Sequence, residues 1–156
     1  MTMLARQPHH LRRIESVWAI NLALPILRRA VKRFSAHPTT AAYARTAIGE
    51  AVEPDDPRAV SWCVVGAIMA EAPDMKEAER AVECVESYGK LAMPLNLWAD
   101  SKQAWETASL LMTTIDAMVH AVKVKRWRYG GSNVPPVRQV HRVSAPVEAV
   151  DPQYGA

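Results

Sequence analysis

At 156 residues, about half of them apolar and only two of them cysteine, the chain has room for one domain whose core needs no disulfide staples. No run approaches the ~20 apolar residues of a membrane span, and neither zinc-type Cys/His spacing nor a phosphate-cradling glycine loop occurs, so membrane anchoring, metal chemistry and mononucleotide-loop chemistry are set aside. The net charge of +3 hides a division: seven Lys/Arg against one Glu in residues 1–37, six against thirteen acids in 38–122, six against none in 123–142, and two acids alone in 143–156.

An acidic middle between two basic arms implies an anionic partner for the arms, or arms that lie on the body. Residues 1–11 lack periodicity and read as an extension. From there Ile14, Trp18, Leu22 and Ile26 recur every four residues and predict a helix over 11–34, broken or kinked at Pro25. Its polar face carries Arg28, Arg29, Lys32 and Arg33, cations that also complement a helix C-terminus. Residues 41–53 are ambiguous. Their alanines favour helix, while the alternation around Tyr43 and Arg45 and the turn residue Gly49 allow a hairpin at 42–52.

The strongest local signal is 54–70. Asp55 or Asp56 can cap a helix and Pro57 suits its first position. The run from Ala59 to Met69 is almost uncharged, which predicts a buried helix over 57–71. Asp74 then caps an amphipathic helix over 75–89 that stops at Gly89. An apolar loop, 91–98, leads to Asp100 or Ser101 as cap of a last helix over 102–124. The apolar stripe of that helix includes Trp105, Leu111, Met112, Ile115, Met118 and Val122. After Lys123 the periodicity fails, and the proline-bearing segment beyond it reads as a tail. The predicted fold is mainly α: a small helical bundle around the 57–71 helix, with the hairpin at 42–52 as an option. Its domain covers 12–124, and a basic, aromatic and then proline-rich tail covers 125–156.

Residues 41–121 resemble a family of small uncharacterised proteins of bacteria and their phages, known only as a domain of unknown function. The resemblance rests on Tyr43-Ala44-Arg45 with Gly49, on Pro54, Asp56, Pro57, Ala59, Val60, Trp62, Cys63, Gly66 and Ala67, and on Trp98-Ala99-Asp100 before a helix. The family has Asn where this chain has Ala99, and the basic arms lie outside the shared region. The resemblance implies a small, mostly helical fold and an origin in a phage or other mobile element. It implies no activity.

Lys123, Lys125, Arg126, Trp127, Arg128 and Tyr129 form the best functional signal, because interleaved cations and aromatic rings suit phosphates and bases, or an acidic protein groove. With Arg28, Arg29, Lys32 and Arg33 they are the candidate binding residues. Trp62, Cys63, Gly66 and Trp98 read as structural core, with Gly66 permitting a close helix crossing. Asp116 and His120 share a helix face without further ligands, so no metal and no cofactor are expected. The reading is a non-catalytic cytoplasmic interaction protein with a protein or nucleoprotein partner, a phage counter-defence factor being one concrete form. The alternatives are direct nucleic-acid binding through 28–33 and 123–129, and a small enzyme using Cys63 or Asp100 in a pocket lined by Trp62 and Trp98.

Overall fold

The computed structural model describes residues 17–129, with side chains to Lys125. Eight elements follow in order: α1 (Val17–Ala36), β1 (Ala44–Thr46), β2 (Ala51–Val52), β3 (Ala59–Trp62), α2 (Val64–Glu71), α3 (Met75–Tyr88), α4 (Leu95–Asp100) and α5 (Ala104–Tyr129). The fold is mainly helical, with a small antiparallel sheet in the order β2-β1-β3. The predicted extension at 1–11 and the tail beyond 129 lie outside the described residues.

α1 packs along α2, α3 and α5. Its Ile20, Ala23, Leu24, Leu27, Ala30 and Phe34 recur at helical spacing and are buried. The helix runs on through Pro25 instead of breaking there. Proline leaves the carbonyl four residues earlier without its donor. Asn21 and Pro25 both face solvent, so water can take that carbonyl's bond at little cost.

The hairpin forms where alternation allowed it. Ala44 pairs with Val52 and Arg45 with Ala51. Thr46 N donates to Glu50 O and Gly49 N to Thr46 O, both at 2.9 Å, with Gly49 at φ 85°. Only a glycine takes that left-handed position without strain.

The predicted 57–71 helix is shorter than the sequence implies. Residues 59–62 are a third strand, and the helix begins at Val64. Asp56 and Pro57 make a turn instead of a helix start: Asp56 Oδ1 accepts from Arg58 N at 2.8 Å, and Ala59 N donates to Asp56 O at 2.9 Å. An aspartate that bonds two residues ahead mimics a turn as readily as it caps a helix. Pairing with β1 then decides the state of 59–62.

The other helix ends also differ in detail. Residues 95–98, expected as part of a loop, belong to the helix Leu95–Asp100, and Glu86 Oε1 accepts from Leu95 N at 2.8 Å where Pro94 offers no cap. Asp100 and Ser101 close α4 rather than opening α5: Ser101 Oγ donates to Trp98 O at 2.7 Å. At the start of α5, Glu106 Oε2 accepts from Gln103 N at 2.8 Å. The helix then runs to Tyr129, so residues 125–129 continue α5 instead of beginning a tail.

Candidate functional site

Of the four residues read as core, Trp62, Cys63 and Gly66 sit at one joint, and Trp98 lies in α4. Cys63 follows β3 and is the N-cap of α2, its Sγ accepting from Gly66 N at 3.2 Å. Cys63 N donates to Tyr43 O at 3.0 Å, and that carbonyl lies against Gly66 where any side chain would meet it. Trp62 is half-buried, and its Nε1 donates to Pro54 O at 2.9 Å. Trp98 is half-buried with Lys102 Nζ 5.7 Å from its ring centre. The sequence pattern Trp-Cys-x-x-Gly-Ala is thus a strand-to-helix joint: ring anchor, thiol cap, and a glycine that admits a backbone carbonyl.

Cys63 and Asp100 do share a cleft, of about 660 Å³, together with Phe34, Thr39, Tyr43 and Gln103 among others. Trp62 and Trp98 do not line it, and neither does any histidine. Burial pushes the Cys63 thiol up, and the Asp100 charge adds to that, outweighing the helix-start hydrogen bonds that oppose it. A nucleophilic cysteine needs the reverse shift and a nearby base. Ala41 borders the same cleft at φ 58°. Its N–H donates to Asp100 Oδ1 at 3.5 Å, a long contact between the segment after α1 and the end of α4.

The four cations of α1 divide. Arg29 Nε donates to Glu71 Oε2 at 3.0 Å and Arg33 Nε to Glu71 Oε1 at 2.7 Å, so both carboxylate oxygens are occupied. The Arg33 guanidinium also lies on Trp62, 4.5 Å from its centroid. Arg28 and Lys32 are exposed and make no ion pair among the described residues. Phe34 near the end of α1 and Ala104 and Thr107 at the start of α5 line one cleft, so these two packed helices run antiparallel. Lys123 and its neighbours are therefore at the other end of the bundle from Arg28–Arg33, by about 15 Å or more along the axis. The structure does not bring the two basic segments together. The side chains of Arg126, Trp127, Arg128 and Tyr129 lie outside the described ones.

The last helix holds a feature the sequence misassigned. Its core side is Thr107, Leu111, Thr114, Ile115, Met118 and Val122. Trp105 and Met112, expected on that stripe, are 72% and 60% exposed. They are seven residues apart and share an outward face with Ser109, Asp116, His120 and Lys123, all exposed. Spacing from Leu111 was the available clue: Met112 is only one residue on, about 100° round the helix.

Among the described residues, no group of three or more His, Cys, Asp or Glu could hold a metal ion, and no helix is long and apolar enough to cross a membrane. No family model, curated protein or solved structure matches the chain.

Proposed function

We propose that the protein is a non-catalytic interaction protein that lays the outward face of α5 into a groove on a larger protein. The observation that carries this is the exposure of Trp105 and Met112 on one face of a 26-residue helix that ends in basic sequence. Anchors at i and i+7 are the spacing by which an amphipathic helix is read by a hydrophobic groove. Trp is among the residues that dominate binding energy, because it buries a large area at low entropic cost. Lys123 and the following Lys125-Arg126-Trp127-Arg128 argue for acidic side chains where the groove meets this end of the helix. One concrete biological form of this reading is an accessory or counter-defence factor of a phage or mobile element, acting in the cytoplasm; the small size and the origin suggested by the family resemblance support it.

The test is to fix the partner with a photo-crosslinking residue at Ser109, on the same face, and to compare Trp105→Glu and Met112→Glu with the unsubstituted protein. Crosslinking to a discrete partner that both substitutions abolish, with unchanged unfolding temperature, is the expected result. Direct nucleic-acid binding predicts something else: affinity for single or double strands that falls steeply with salt and ignores Trp105.

A further inference from the structure

The end of α1 forms a second site, independent of the α5 face. Arg29, Lys32 and Arg33, at helical spacings of three and four, line a shallow cleft of about 440 Å³ with His37, Trp62 and Glu71. Three permanent positive charges there face one carboxylate. The arginines are not loose surface side chains. Glu71, only 15% exposed, takes the Nε of each, and its backbone oxygen also accepts from Arg29 Nη2 at 3.0 Å. Trp62 supports the Arg33 guanidinium from β3. With its Nε committed to Glu71, Arg33 has both terminal nitrogens without another hydrogen bond among the described residues, and Lys32 and His37 have no side-chain partner there. A helix dipole accounts for cations at the end of α1. It does not account for their convergence with side chains from β3 and α2.

We propose that this cleft binds a phosphate-class oxyanion, with Glu71 and Trp62 holding the arginines in place and Lys32 and the free edge of Arg33 making the contacts. The excess of two charges matches a dianion, and a pre-set guanidinium edge suits the paired oxygens of a phosphoryl group. The cleft is larger than one phosphate group, so the group would arrive attached to something else: a small phosphate ester, or a nucleic-acid strand.

Calorimetric titration of the full chain with pyrophosphate and with a short single-stranded oligonucleotide separates these sources. Lys32→Gln touches no described contact, and it should weaken binding roughly tenfold. Tighter binding of pyrophosphate names a small ester as the source. Tighter binding of the oligonucleotide, with the same response to Lys32→Gln, names a strand. Binding of neither probe, or binding that Lys32→Gln leaves unchanged, overturns the proposal. Neither result bears on the α5 face, none of whose residues lines this cleft.

Discussion

The carbonyl oxygen of Tyr43 rests on Gly66: it accepts a hydrogen bond from Cys63 N at 3.0 Å and occupies the space in which a side chain at 66 would begin. One backbone oxygen thus ties β1 to the start of α2. Gly66→Ala sets two effects against each other. Alanine favours helix by about 1 kcal/mol, but backbone cannot yield as a flexible side chain would, and overpacking costs about 1–3 kcal/mol or more. The collision should win. Chemical denaturation of Gly66→Ala should show a net loss of stability of about 1–2 kcal/mol, and a gain would contradict this account of the joint.

Cys63 caps α2, its Sγ accepting from Gly66 N at 3.2 Å. Serine is a preferred N-cap and alanine a poor one, a difference of about 1 kcal/mol. Cys63→Ser should therefore be more stable than Cys63→Ala by about that amount. A thiol probe at neutral pH should label Cys63 only when the protein unfolds, since burial disfavours the thiolate. Rapid labelling of the native protein would reopen the enzymatic alternative.

Cys84 is wholly buried, and burial, helped by the charge of Glu83, raises its pKa from 9.0 to about 12. The folded chain keeps this proton when the unfolded chain has lost it. The resulting stability is fully present below pH 9 and is lost as pH rises from about 9 to about 12. The loss amounts to as much as about 4 kcal/mol at 1.36 kcal/mol per unit. Cys84→Ala lowers stability at neutral pH through lost packing. The informative readout is the slope: over that window the alanine variant should lose less stability with pH than the unsubstituted protein.

Lys90 sits at φ 54° just past α3, with Leu91 N bonded to Glu86 O at 3.0 Å and Lys90 N to Ser87 O at 3.3 Å. These are the two bonds of a Schellman ending, in which the left-handed residue is usually glycine. Lys90→Gly should raise stability by about 1 kcal/mol, visible as a higher thermal midpoint. Gly89, the stop expected from the sequence, is right-handed at φ −76°. A Cβ there would come within 3.1 Å of Leu110 Cδ1 and 2.6 Å of Val85 O, so its small size serves packing against α5.

The parts legible in the sequence were those fixed by local periodicity. Ala78, Ala81 and Val85 mark a buried face that neighbours only confirm, and so does Ile26 in α1, but Trp18 of the stripe read there is 59% exposed and Ile20 and Phe34 hold buried positions the stripe left out. The misread parts are those where one residue type serves two geometries. Asp56 with Pro57 starts a helix or closes a turn, and only the pairing of 59–62 with β1 decides between them. Gly66 signalled a close approach, but not that a strand-side carbonyl, rather than another helix, would make it. The candidate site was legible as charge and not as arrangement. Glu71, which binds two of the four cations of α1, is 42 and 38 residues away from them in sequence. Trp105 and Met112 look like core until the position of the core stripe is known to within one residue.

The central claim is that α5 is an adhesive face, and one measurement addresses it most directly. The dissociation constant of the crosslinked partner should be determined for the unsubstituted chain and for the Trp105→Ala/Met112→Ala variant. Both side chains are largely exposed, so the variant should unfold at the same temperature as the parent while its affinity falls at least about a hundredfold, as for loss of two hot-spot residues. An affinity within about twofold of the parent would contradict the claim and move the interaction elsewhere on the molecule.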